Sequence, residues 1–280
     1  MPIGQPLLIL KEIAFMSDPN PQGIAVITGA STGLGAVYAD RLARRGYDLL
    51  LIARNKSRLD AVATAIIENT GRNVEVLAAD LSDPGELATV EERLRGDASI
   101  SLLVNNAGGT VFGPLAQADP SQLEDLITLN VTALTRLTTA VLAGFTQRGN
   151  GTIINLSSAL ALNVLPVSAV YSGTKSYVVA FTQALQQELA ETAIRVQAVF
   201  PGAVRTEFWD GSGIEVSAFP QEWVMSADDA VDAALAGLDA GEPMTLLSLP
   251  DISDWNTFDA ARQAMIPNLS RSVPADRYRN

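Results

Sequence analysis

The chain contains no cysteine and no histidine. The first absence rules out disulfides, thiolate nucleophiles and sulfur-ligated metals, and a cytoplasmic location is the expectation. The second removes the Ser-His-Asp triad, His-ligated zinc and the commonest acid/base near neutral pH. Any catalytic proton must therefore travel through Tyr, Lys, Ser or a carboxylate. Basic residues are also scarce, with 19 Lys and Arg against 31 Asp and Glu, a formal net charge of −12. Such a chain repels nucleic acid and anionic membranes, and neither is expected as a partner. No apolar run reaches the length of a membrane span, and no cluster of metal ligands stands out, so no metal is expected. With 48% apolar and 18% charged residues over 280 positions, the chain is globular and long enough for one large α/β domain.

What is present has a rhythm. Ile24–Ile27, Asp48–Ala53, Val74–Ala78, Leu102–Val104, Gly151–Leu156 and Ile194–Phe200 are short apolar runs of the kind buried parallel strands show. Helical patterns separate them, closing at Gly46 and Gly71 and extending over Pro84–Leu94, Ser121–Thr146 and Tyr171–Glu191. This order predicts an α/β fold, a single Rossmann-like doubly wound parallel sheet with helices on both faces, over residues 23–250. Residues 1–22 read as an N-terminal extension, with Met16 as an alternative start. Residues 203–225 hold Phe208, Trp209, Phe219 and Trp223 and read as a substrate-facing lid. A helix capped by Ser226 and a strand at Met244–Leu249 follow, and 251–280 reads as a turn-rich tail.

Three stretches carry chemistry. Thr28-Gly29-Ala30-Ser31-Thr32-Gly33-Leu34-Gly35 lies between the first strand and the first helix. Glycines there allow a tight turn and close approach of backbone to phosphate, and the helix N-terminus offers N–H groups to a pyrophosphate. Arg54 ends the second strand, where an acidic residue would suit a ribose and an arginine suits a 2′-phosphate; this predicts NADP(H). Tyr171 and Lys175 stand four apart, hence about 5–6 Å apart on one helical face. The lysine ammonium can then hold its charge near the phenol oxygen.

Together these motifs resemble the short-chain dehydrogenase/reductase family, of its NADP(H)-preferring type, over residues 24–206. The resemblance is carried by Thr28-Gly-x-x-x-Gly-x-Gly35, Asp80, Asn105-Asn106-Ala107-Gly108, Asn130, Ile153-Ile154-Asn155-Leu156-Ser157-Ser158, Tyr171-x-x-x-Lys175 and Pro201-Gly202-x-x-x-Thr206. It implies cofactor contacts from Gly29, Ser31, Thr32, Gly33, Leu34, Gly35 and Arg54, with Asp80 and Leu81 beside the adenine. Asn106, Ala107 and Gly108 would run along the cofactor, with Pro201, Gly202 and Thr206 near the nicotinamide. It also implies a catalytic set of Asn130, Ser158, Tyr171 and Lys175. Ser158 is preferred to Ser157 because it precedes Tyr171 by thirteen residues, Asn130 would hold a water linking Lys175 to solvent, and Tyr171 and Lys175 would also touch the cofactor.

The reaction so implied interconverts a carbonyl and a secondary alcohol. Tyr171 exchanges the proton, and its pKa is expected to be lowered by Lys175 and the oxidised nicotinamide. Reduction of a 3-oxoacyl carrier protein and non-catalytic NADP(H) sensing are the alternatives. A small-molecule substrate is the expected partner, in a homodimer or homotetramer paired through the helices at 121–146 and 171–191.

Overall fold

The computed structural model describes residues 22–210 and 212–279. The expected 1–22 extension, apart from Gln22, lies outside the described residues. Seven parallel strands form the central sheet: β1 (Ile24–Thr28), β2 (Asp48–Ala53), β3 (Val74–Ala78), β4 (Ile100–Asn105), β5 (Asn150–Leu156), β6 (Ala193–Phe200) and, after a two-residue pair β7 (Ala203–Val204) and β8 (Val224–Met225), β9 (Met244–Leu246). Their order is β3-β2-β1-β4-β5-β6-β9. The expected doubly wound sheet is therefore present.

Because successive strand residues point to opposite faces, each strand feeds two cores. Ala25, Ile27, Leu49 and Leu51 meet α1 (Gly33–Arg44), α2 (Lys56–Thr70) and α7 (Ala227–Asp239) on one face. Val26, Leu50, Ile52 and Leu103 meet α3 (Pro84–Arg95), α5 (Leu134–Arg148) and α6 (Ala169–Glu188) on the other. In α1 the buried positions Gly35, Tyr38, Ala39, Leu42 and Ala43 recur at helical spacing.

Two expectations need correction. The helix over 121–146 is not uniform: α4 (Pro120–Ile127) joins α5 through a π turn at Thr128–Ala133 that contains Asn130. That combined stretch, Pro120–Arg148, is 29 residues long and contains an 18-residue window with a mean hydropathy of 1.4, enough by length and composition to cross a membrane. Its Leu126, Asn130, Ala133, Leu137, Val141 and Phe145 are buried at spacings of three and four, the pattern of a core helix lying on a sheet. The tail is not all turns: Ile252–Ala264 forms α8, capped by Asp251 and anchored by Trp255, whose ring lies 5.9 Å from that of Phe200. Residues 203–225 form a closed loop whose ends pair as β7 and β8, with short 3-10 turns at Glu207–Trp209, Val216–Ala218 and Gln221–Trp223 between them.

Candidate active site

The strand order reverses between β1 and β4, so the loops leaving their C-terminal ends diverge and open a crevice. The β1–α1 turn forms one wall. Gly29 and Gly33 take φ of +66° and +55°, a left-handed backbone that favours glycine. Gly35 has normal φ but no room: an added Cβ would lie 2.2 Å from the Gly29 carbonyl oxygen and 2.6 Å from Asn106 Nδ2. Side chains of Asn55, Asp83, Asp119, Ser226 and Asp251 cap α2, α3, α4, α7 and α8. By contrast, Thr32 makes no side-chain cap on α1, and its first turn holds no acid. An uncapped helix end above a glycine cradle suits an anion.

Asn106 and Thr28 bind this turn to the β4 loop. Asn106 Nδ2 donates to the carbonyls of Thr28 and Gly29, at 2.8 and 3.2 Å, while Thr28 Oγ1 accepts from the N–H groups of Asn106 and Ala107. Thr206 stands across the turn, its γ-methyl 3.1 Å from where a Gly33 Cβ would lie. Arg54 is exposed at the end of β2. Arg58, one turn into α2, pairs with Glu207 at 2.5 Å, a contact 149 residues long that no local pattern announces. Asp80 folds its carboxylate onto the N–H of Ser82 at 2.9 Å, and Leu81 is buried in the α3-side core. Pro201 is buried and Gly202 exposed at the end of β6.

The catalytic candidates gather on α6. Lys175 is 6% exposed, and its Nζ donates to the Leu156 carbonyl at 2.8 Å. Ser157 Oγ donates to the Lys175 carbonyl at 2.9 Å, so this serine holds the helix against β5. Ser158 is the one beside the Tyr171 phenol, where its hydroxyl favours the ionised form. Burial outweighs that influence and pushes Tyr171 up to about 12, while burial brings Lys175 down to about 8. In the protein by itself burial therefore decides the phenol's direction, and the expected lowering belongs to the complex with the oxidised nicotinamide. Lys175 Nζ lies 5.8 Å from the ring centroid and spends its contact on a backbone carbonyl, leaving desolvation dominant.

These shifts have a sign that can be measured. Folded Lys175 loses its proton more readily than unfolded lysine, so between pH 8 and 10.5 the unfolded chain holds more protons and stability rises with pH. Tyr171 acts oppositely, since the folded phenol keeps its proton and stability from this group is lost as pH climbs from 10 toward 12. Urea unfolding of wild type and Lys175→Met at pH 7 and pH 9.5 is expected to show the wild type gaining on the variant, within a full-titration range of roughly 3 kcal/mol. A constant difference would refute the assignment.

Asn130 is held through its side-chain amide. Its Oδ1 accepts from the Gly109 N–H at 2.9 Å, and its Nδ2 donates to the Gly109 carbonyl and to Thr174 Oγ1. The amide is a strut between the π turn, the β4 loop and α6. Gly108 fits because a Cβ there would stand 3.1 Å from Asn130 Oδ1 and 3.5 Å from Lys175 Nζ. Behind them, Asn105 Nδ2 bonds Thr138 Oγ1 and Asn155 Oδ1, and Asn155 Nδ2 bonds Thr182 Oγ1, each at 2.9 Å. This buried chain fixes α5, β4, β5 and α6 relative to one another.

Over Tyr171 lies an aromatic cluster. The rings of Phe112 and Phe208 stand 5.6 and 6.1 Å from it, Trp209 stacks on Phe112 at 6.3 Å, and Phe219 meets Trp209 at 5.1 Å. Trp209 Nε1 donates to the Val204 carbonyl at 2.8 Å, which fixes the ring. Three of the four lid aromatics therefore face the site, while Trp223 is 67% exposed. Phe112 escaped the sequence reading because it sits in a glycine- and proline-flanked loop with no periodicity.

This combination defines a doubly wound nucleotide-binding protein with a buried tyrosine–lysine pair at its switch point. A family model described as short chain dehydrogenase matches residues 23–215, and the chain belongs to that family. A short-chain dehydrogenase from Sphingobium yanoikuyae, solved in complex with NADPH, is 46% identical, covers 92% of this chain and 100% of its own, and superposes with a TM-score of 0.89. A bulky-bulky ketone specific alcohol dehydrogenase from Comamonas testosteroni is 40% identical, covers 92% of this chain and 99% of its own, and has a TM-score of 0.85. The human 17-beta-hydroxysteroid dehydrogenase type 3 is 36% identical over 184 residues, which are 65% of this chain and 59% of that protein. The match thus spans less than two thirds of that relative's length.

Proposed function

We propose that this chain is an NADP(H)-dependent oxidoreductase interconverting bulky apolar ketones and secondary alcohols. One observation carries the reading: a protonated, buried tyrosine beside a serine hydroxyl, walled by aromatics, at the mouth of an uncapped glycine cradle. The cradle fits a dinucleotide. Gly29, Gly33, Gly35, Ser31 and Thr32 would hold its pyrophosphate, Arg54 its 2′-phosphate, and Asn106, Lys175 and Thr206 its nicotinamide half. When bound, NADPH supplies the hydride, or accepts it in the reverse direction.

The remaining chemistry belongs to the protein. With a pKa of about 12, Tyr171 carries its proton throughout neutral pH and gives it to the carbonyl oxygen. Ser158 donates a hydrogen bond to the same oxygen as negative charge grows there. Lys175, mostly protonated at pH 7, places a positive charge behind the phenol and stabilises the phenolate left after transfer. Phe112, Phe208, Trp209 and Phe219 exclude water and present flat apolar surface to large substituents. The C. testosteroni and human relatives, named for bulky ketones and a steroid, support this substrate class. Pairing of copies through the outer faces of α4–α5 and α6 forms part of the same proposal.

A panel of ketones followed by NADPH consumption tests it. Diaryl and aryl-alkyl ketones are expected to exceed acetone by at least about tenfold in kcat/KM, in line with the differential burial of a large apolar group. NADPH is expected to be preferred to NADH, and Arg54→Asp to lower that preference by about 10–100-fold, the value of one charge-assisted contact. NADPH binding without turnover of any ketone would favour the sensing alternative.

A further inference from the structure

Ten of the fifteen exposed large apolar side chains among the described residues fall into two groups. One is Met265, Ile266, Leu269, Val273 and Tyr278, in the arm that follows α8. Every residue from 263 to 279 is exposed, and these five side chains stay 53–72% exposed on their own body. The other is Leu162, Val164, Leu165 and Val167, in the loop that leads into α6 ahead of Tyr171, together with Trp223 of the lid. Gly113 N–H donates to the Val167 carbonyl at 2.9 Å, tying that loop to the segment that carries Phe112.

The two groups are also opposite in charge. Residues 263–279 carry Arg271, Arg277 and Arg279 against Asp276, a net of +2 in a chain of net −12. The lid, residues 203–225, carries Glu207, Asp210, Glu215 and Glu222 against Arg205, a net of −3. Both patches stay exposed within one chain, so the arm does not cover its own site. A second copy supplies the missing partner for each at once, and two-fold symmetry satisfies both copies together.

We propose that the C-terminal arm of one copy lies across the site mouth of a second copy, and that the reverse contact completes a symmetric dimer. Leu269, Val273 and Tyr278 then cover Val164, Leu165 and Trp223 of the neighbour, with Arg277 and Arg279 over the acids of its lid. The arm becomes part of the substrate wall of the other subunit. This rests on the functional reading above only for what the mouth binds, not for the contact itself.

The absence of native cysteine allows a clean test. Full-length Leu269→Cys and Val164→Cys chains, mixed and oxidised, are expected to give a cross-linked heterodimer on a non-reducing gel. Removal of residues 263–280 is expected to weaken self-association at least about tenfold by sedimentation velocity. In the Arg277→Glu/Arg279→Glu chain association falls, and Glu215→Lys/Glu222→Lys in the same chain restores it. Circular dichroism and NADPH binding establish that each variant is folded, and none of these readouts needs turnover, so an inactive enzyme leaves the test intact. Absence of the cross-link, truncation without effect, or a monomeric wild type at all concentrations overturns the proposal. Arm-dependent binding to phosphatidylserine–phosphatidylcholine vesicles by a monomer overturns it as well.

Discussion

Tyr171→Phe is expected to lower kcat/KM for ketone reduction by about 10²–10⁴-fold while leaving the dissociation constant for NADPH within about twofold of wild type. The change removes one oxygen and nothing else. Ring contacts with Phe112 and Phe208 stay, so the aromatic wall and the fold are preserved. What is lost is the proton donor, and no histidine or cysteine exists anywhere in the chain to replace it. Ser158 remains but is a far weaker acid, and the Lys175 ammonium is engaged by the Leu156 carbonyl. A loss of this size corresponds to about 3–5.5 kcal/mol of transition-state stabilisation. Stopped-flow or steady-state NADPH absorbance gives the rate, and fluorescence titration gives the affinity. Activity within tenfold of wild type would mean that the proton moves by another route.

The second large effect is expected at Gly35. In Gly35→Ala the new methyl meets the Gly29 carbonyl oxygen at 2.2 Å, and that oxygen cannot move without opening the β1–α1 turn. It also meets Asn106 Nδ2, the group that ties the turn to the β4 loop. Backbone displacement of this kind costs about 1–3 kcal/mol of stability. The cradle itself is displaced, so NADPH affinity is expected to fall at least about tenfold. Gly173→Ala is the matching control. Gly173 lies between Tyr171 and Lys175, has no atom within 4 Å of an added Cβ, and sits in a helix, where alanine is favoured by about 0.5–1 kcal/mol. Isothermal titration and urea midpoints for both variants separate the two cases. Equal behaviour of Gly35→Ala and Gly173→Ala would remove the argument from close approach.

Self-contained features were legible in the chain alone. Strands β1 to β6 follow from apolar runs, helices from period and glycine stops, and the crevice from the order of elements, because each depends on residues close in sequence. The glycine turn and the Tyr171–Lys175 pair are local in the same sense. A family spacing singles out Ser158 over Ser157, and only the structure supplies a physical difference between them: Ser157 points at the Lys175 carbonyl, while Ser158 stands beside the Tyr171 phenol. Helix α8 was missed because only Trp255 of its residues is buried, which leaves almost no amphipathic stripe to detect.

What composition and spacing determined, then, is the chemistry on offer: without histidine or cysteine, a catalytic proton is left to Tyr, Lys, Ser or a carboxylate, and a glycine-rich turn with Arg54 offers groups suited to a phosphate. Which way those groups are biased was decided only in three dimensions. Burial among the elements around α6 raises Tyr171 and lowers Lys175, a bias that their spacing of four does not carry. Long-range contacts decided the rest. Asn130 reached Gly109 and Thr174, Arg58 reached Glu207, and Phe112 joined Phe208 and Trp209 over the phenol, across separations no local pattern encodes. Local sequence sets which atoms are available; desolvation and distant neighbours set what those atoms do.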